Sequence, residues 1–419
     1  MAVHAPPLCP NKTDLVTRRP TPACHAVWRE WGESVHAFYT MDPLEAAGGW
    51  LHGFDAEPLQ HACRDTPRQV LERTLVRCLQ RSPCVIAFSG GRDSSALLGA
   101  AVTVARREAL PLPVTVTLTY PGVPQTDETS WQHQVLDHLG VKDRVEVTVD
   151  DEHDILGPIT APLLQRHGSL WPPNLAPTWR LMDQARGGVL IIGECGDEVF
   201  GIKRITPLRR ILGARGRVDR RFYRAAAWSL APAPMRRRAM LRSPHLYQRT
   251  WLRAPVKALL ERRDVEDEAA LALHAGHNAR QYTHRRAICR SFETHRALGH
   301  DIDVDYIAPF ADSEFVAAVA QAAGFWGWSG RTAAMTHLFG DLLPCSVLQR
   351  TSKATFERAV FTERGREFAA QWNGSGVDPD LVDPEALRNI WLSDQPDGGT
   401  MVLMQQAWLA SQTVAQDTT

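Results

Sequence analysis

A doubly wound α/β sheet followed by a helical lobe is the fold this sequence predicts, and three observations carry the prediction. Short apolar or β-branched runs stand at 84–88, 114–120, 145–149 and 189–192; helix-like segments separate them; and beyond residue 201 the strand signal stops. A short continuous apolar run reads as a strand buried on both faces, as in a parallel sheet whose crossover helices cover it. Strands alternating with helices in this order give the doubly wound α/β class.

Composition sets the outer limits. The 419 residues, 44% apolar and 22% charged, describe an ordinary globular protein of two to three domains' length rather than a disordered chain. Lys plus Arg and Asp plus Glu both number 47, so no global field steers the molecule to nucleic acid or an anionic membrane. The eight cysteines are scattered, with no C-x-x-C pair, which predicts neither a disulfide framework nor a zinc site. The first twenty residues lack the apolar core of a signal peptide and no window is long and apolar enough for a membrane helix, so a cytoplasmic protein is expected. Residues 1–66 form a short segment of unassigned fold, with Pro-rich patches and an aromatic stretch. Residues 67–201 read as the α/β core and 202–419 as the mainly helical lobe.

Element by element, the first legible helix starts at Thr66-Pro67-Arg68-Gln69. Thr66 can cap it, Pro67 suits its first position and Gln69 completes a capping box; Val70, Leu71, Leu75, Val76 and Leu79 supply its apolar face. The strand at 84–88 ends at Ser89-Gly-Gly-Arg-Asp-Ser-Ser95, which opens a helix running to about residue 108. A strand at 114–120, a helix at 127–139 stopped by Gly140, a strand at 145–149, a helix near 179–185 and a strand at 189–192 follow. In the helical half, residues 203–242 hold thirteen basic side chains against the single acid Asp219, either a solvated helical surface or a docking face for an acidic partner.

Two loops carry chemistry. Ligands of a parallel sheet sit beyond the carboxyl ends of its strands, which is where Ser89-Gly-Gly begins. Two glycines let successive N–H groups point into one concavity and the next helix adds its positive end, so phosphate oxygens would find donors there. Ser89, Ser94 and Ser95 could add hydroxyl donors, and Asp93 makes sense beside phosphates if it holds magnesium. No Lys follows the glycines as in a P-loop, and the spacing is not that of a dinucleotide site. The second loop, Gly193-Glu-Cys-Gly-Asp-Glu-Val-Phe-Gly201, places three carboxylates, Glu194, Asp197 and Glu198, where they would repel one another unless a cation sits among them. Asp197 could meet Asp93 across the mouth of the sheet. Either loop by itself could also be a plain surface turn.

Together the two loops resemble the synthetase domain of asparagine synthetases and their relatives, the β-lactam synthetases and lasso-peptide cyclases. The resemblance extends to Asp127-Glu128, Pro309-Phe-Ala-Asp312 and Arg350-Thr-Ser-Lys353, and covers about residues 67–410. It implies an ATP-pyrophosphatase-type core and an AMP-forming ligase: a substrate carboxylate attacks the α-phosphorus of ATP, pyrophosphate leaves, and an amine displaces AMP to form an amide. Carried over by position, Ser89, Gly90, Gly91, Asp93, Ser94, Ser95 and Gly193 would bind the nucleotide, and Asp93 and Asp197 would hold Mg2+. Glu194 would orient or deprotonate the amine, and Lys353 would stabilise developing charge.

The chain departs from glutamine-dependent members in having Ala2 where the resemblance would want a catalytic cysteine, and too little sequence before residue 84 for a glutaminase domain. The resemblance therefore implies an amine that is free ammonia, another protein's product or a group of the substrate itself, in a natural-product pathway with ring closure of the lasso-peptide or β-lactam kind. The substrate would be a small-molecule or peptide carboxylate, with no nucleic acid or membrane expected as partner. Ammonia-dependent amidation and another ATP pyrophosphatase, such as a tRNA-modifying enzyme, stay open as alternatives.

Overall fold

A computed structural model describes residues 38–56, 64–214, 216–242, 248–352 and 360–417. Its centre is a five-stranded, all-parallel sheet in the order β3-β2-β1-β4-β5, with β1 Cys84–Ala87, β2 Val114–Thr119, β3 Val145–Thr148, β4 Val189–Ile191 and β5 Asp305–Ile307. The central strands are what the apolar runs predict: Val85, Ile86, Leu190 and Ile191 are wholly buried, and Val85 pairs with Val114 on one side and Leu190 on the other. The helices Arg92–Arg107, Thr129–Leu139 and Ala176–Asp183 alternate with them.

The fifth strand corrects the reading that strands end at residue 201. Asp305–Ile307 comes from deep in the helical half and pairs in parallel with β4. It is three residues long, one of them exposed, so it has no period to detect; its place is set by β4 and not by its own sequence.

Residues 38–419 gather into one compact unit. The chain ahead of the first legible helix contributes too: Pro43–Gly48 is a helix whose capping box is closed by Asp42 and Glu45. It joins a core built with Trp251, Leu260, Trp391 and Met404, so part of the unassigned segment is an integral element of the helical half. The helix Pro67–Leu79 starts with the capping box read from Thr66 and Gln69. Among the described residues no helix is long and apolar enough to cross a membrane.

The basic stretch divides. Lys203 and Arg236 are buried, and Arg204 donates to the carbonyls of Ser229, Leu271 and Ala231, which makes these three structural. Arg209, Arg217, Arg220, Arg221, Arg224, Arg237, Arg238 and Arg242 are exposed, beside exposed Tyr223, Trp228 and Met235.

Candidate active site

The strand order decides where a ligand fits. Chain order runs outward from β1 through β2 to β3, while β4 and β5 add on the opposite side, so the loops leaving β1 and β4 flank the switch point where a doubly wound sheet opens a crevice. A cavity of about 520 Å³ lies there, within the range of small-molecule sites. Ser89, Gly91, Asp93, Ser94, Gly193, Glu194 and Asp197 line its polar side, and Ala87, Val116, Leu118 and Leu181 its apolar wall.

The β1 loop is shaped by its own glycines and tied from behind. Gly90 has φ +83°, and a Cβ there would lie 2.8 Å from Gln132 Cγ, so only glycine makes this turn without strain. The loop carbonyls are occupied. Gln132 donates to Ser89 O at 3.2 Å, Arg350 to Gly90 O at 2.8 Å and Ser94 Oγ to Gly91 O at 3.1 Å. Arg144 fixes Gln132 in turn, at 2.9 Å. With its acceptors tied, the loop offers donors. Gly91 caps the helix Arg92–Arg107 with no side-chain acceptor, so the first-turn N–H groups keep the positive end of the helix available to an anion. The hydroxyls of Ser89 and Ser94 stand 3.1 Å apart on the cavity side. Ser95 does not join them. One step further round the helix, it is completely buried and does not line the cavity.

The β4 loop is built for close approach and then fans its acids apart. A Cβ on Gly196 would fall 2.2 Å from Asp93 Cγ, and one on Gly193 would fall 3.1 Å from Ser94 N, so glycines at both positions let the two loops touch. Cys195 between them adopts a left-handed φ of 68° and starts the helix Gly196–Phe200. The three carboxylates that ought to repel meet different surroundings. Asp197 pairs with Arg331. Burial pushes Glu198 above the usual carboxylate range, while the nearby Lys203, itself driven down to about 8 by burial, pulls the other way. Glu194 lines the cavity in front of Tyr306 and His295, two buried rings stacked at 5.0 Å. Burial first and the Glu194 charge second hold the Tyr306 hydroxyl well above its ordinary range. Cys195 is the sole cysteine of either loop. Burial, then Glu198 and Glu194, push its thiol well above the ordinary value, which leaves no reactive thiolate there.

Distant elements complete the site. Arg331, the first residue of the helix Arg331–Phe339, forms ion pairs with both Asp93 and Asp197. Its helix is locked in place through Phe339, which meets Phe200 edge-on at 5.8 Å; Phe310 and Phe315 close the same buried cluster. Arg350, almost fully buried, pairs with Glu128 and lies 4.7 Å over the Trp131 ring, so the Asp127-Glu128 and Arg350 segments clamp the glycine turn between them. Asp312 is a helix cap, accepting from Phe315 N at 3.0 Å. At the far end of the cavity His153 accepts or donates at 3.1 Å to the Tyr120 hydroxyl, and Asn174 brings the segment after Trp171 to the wall. Burial, reinforced by Arg180, lowers His153 to about 4, so it is neutral at pH 7. Lys353 lies outside the described residues.

The residues present suit a divalent cation. Asp93 Oδ1 is buried without a hydrogen-bond partner among the described residues, and it lies against Gly196 of the β4 loop, where a Cβ would fall 2.5 Å from it. Among the described residues no group of three or more His, Cys, Asp and Glu side chains forms a closed cage. Two carboxylates with the remaining positions left to phosphate and water is the donor set magnesium prefers.

Arg331 and Arg350 were not legible as site residues, because each is defined by an acid more than a hundred residues away. The Arg-Thr-Ser-Lys string could have pointed to Arg350; nothing local marks Arg331. A comparison with protein-family models matches residues 66–415 to the family described as Asparagine synthase. A search of curated proteins finds no match.

Proposed function

Because the chain belongs to the asparagine synthase family, whose members are ATP-dependent amide-forming enzymes, we propose that it activates a substrate carboxylate with ATP and transfers the acyl group to an amine. A carboxylate oxygen attacks the α-phosphorus, the bond to the bridging oxygen breaks and pyrophosphate leaves. The amine then attacks the acyl carbon, gives up a proton to Glu194, and AMP departs. The observation that supports this best is the apposition of the two loops: a turn whose carbonyls are tied back and whose helix end awaits an anion, against Asp93 and Asp197.

On this reading Ser89, Gly90, Gly91 and Ser94 hold the pyrophosphate end and the apolar wall at Val116, Leu118 and Leu181 suits the base. Mg2+ bound at Asp93 and Asp197 would supply neutralisation of phosphate charge. Lys353 would face charge building up on the phosphate and the acyl carbon. Glu194→Gln tests the division of labour: carboxylate-dependent exchange of pyrophosphate with ATP should persist, while amide formation falls about a hundredfold or more. Loss of both together would take Glu194 out of the base role.

The finer reading is ring closure in natural-product assembly, with the amine carried by the acid itself. Its product would be lighter than the substrate by one water, whereas uptake of 15N from ammonium would instead establish ammonia-dependent amidation. The exposed arginines of the stretch 203–242 suit an acidic segment of a peptide substrate or partner.

A further inference from the structure

Arg331 occupies an unusual place. Its two terminal nitrogens reach one oxygen each of Asp93 and Asp197, the two acids read above as metal ligands. It is largely buried, borders the cavity, and its Nε has no hydrogen-bond partner among the described residues. The pairing is incomplete on the acid side as well, since Asp93 Oδ1 remains unpartnered. A monovalent guanidinium thus bridges two carboxylates that converge because glycines at 193 and 196 allow it.

The other guanidinium groups here are differently disposed. Arg350 is committed to Glu128 and Gly90 O. Arg92 reaches Thr332 Oγ1 at 3.4 Å and lines the same cavity as Arg331. Two cations near one another beside an anion-ready helix end are a poor arrangement until phosphates arrive. Triphosphate oxygens would offer Arg331 stronger, bidentate acceptors within the same cavity, releasing both aspartates to a divalent ion.

We propose that Arg331 is an internal counter-cation that holds Asp93 and Asp197 together in the nucleotide-free protein, excludes divalent metal from them, and hands them over when a nucleotide's phosphates draw it away. Metal binding is thereby made conditional on nucleotide. The inference rests on the assignment of Asp93 and Asp197 to the metal, and the experiment separates the two.

Mn2+ binding to the nucleotide-free full chain is followed by the loss of the free-ion EPR signal, and in parallel by the shift in melting temperature that Mn2+ produces. Wild type should bind weakly and gain no thermal stability. Arg331→Met should bind one Mn2+ at least tenfold more tightly and gain stability from it; Asp93→Asn in the same background should abolish both effects, and Arg331→Lys, which keeps the charge, should behave as wild type. If Arg331→Met folds poorly, Arg331→Gln carries the same expectation. Equal Mn2+ affinity in wild type and the neutral variants overturns the proposal. Separately, the EPR line shape of Mn2+ with α,β-methylene ATP should change on adding wild type and not on adding Asp93→Asn. That result alongside indifferent Arg331 variants defeats only the counter-cation role, whereas no difference between wild type and Asp93→Asn defeats the metal assignment itself.

Discussion

The loops leaving β1 and β4 start alike, each from a wholly buried strand through glycine into a helix, and end as opposites. In the β1 loop the backbone acceptors are used up from behind by Gln132, Arg350 and Ser94, and what the backbone leaves toward the cavity is donor. In the β4 loop the side chains are the active part, and the surroundings place the cations Arg331 and Lys203 beside them. One loop is a backbone device for anions and the other a side-chain device for cations. Since strands β1 and β4 are neighbours, the two devices meet, and a phosphate with its counter-ion suits the junction better than either alone.

The largest effect belongs to Asp93, which sits on the backbone loop but acts with the acidic one. Asp93→Asn should reduce carboxylate-dependent pyrophosphate release about a thousandfold, measured with a coupled pyrophosphate assay; release at the wild-type rate would remove Asp93 from the metal site. Next is the clamp behind the β1 loop. Glu128→Ala leaves the buried Arg350 without its acid, and loss of one partner of a buried pair costs about 3 to 5 kcal/mol, read from urea unfolding.

The far end of the cavity gives a pH-dependent test. His153 has its proton affinity lowered to about 4 by burial and Arg180, against an ordinary value near 6.5. Below 6.5 the unfolded chain takes up the proton and the folded protein does not, so this histidine's contribution is intact above about 6.5 and is lost as pH falls toward 4, by about 3 kcal/mol in all. The difference in stability between wild type and His153→Gln, followed from pH 7 to pH 4, should show that slope; a flat difference would mean the ring is hydrated. The smallest effect is conformational. Gly90→Ala places a methyl in contact with Gln132 at φ +83°, for a cost of about 1 to 3 kcal/mol, together with weaker nucleotide binding. Unchanged binding would show that the turn adapts.

Several elements were legible because their causes are local. Thr66 and Gln69 form the capping box their spacing predicts, and strands β1 and β4 fall on the apolar runs at 84–88 and 189–192. Gly140 adopts the left-handed conformation expected of a helix stop. The helix expected from 127 begins at Thr129 because Asp127 is spent accepting from Thr129 N at 2.9 Å. Ser95 shows the limit of composition: a serine can donate wherever it stands, but its angular position on the helix turns this one inward. Tyr39 and Trp50, ahead of residue 66, show no readable period because their partners are far away: Tyr39 packs beneath Arg286 and Arg290, and Trp50 meets Trp171 edge-on at 5.8 Å.

The buried parallel strands, the helix caps and the two glycine-rich loops that follow β1 and β4 are readable from the chain itself, since each depends on residues within a few positions of one another. Tertiary structure alone decided the addition of β5 at the edge, the seating of Arg331 between Asp93 and Asp197, and the burial of Arg350 against Glu128. The physical reason is range. Backbone turns and apolar periods are written in neighbouring residues, whereas an ion pair exists only where the sheet order and the packing of the Phe200 cluster bring two distant side chains within bonding distance.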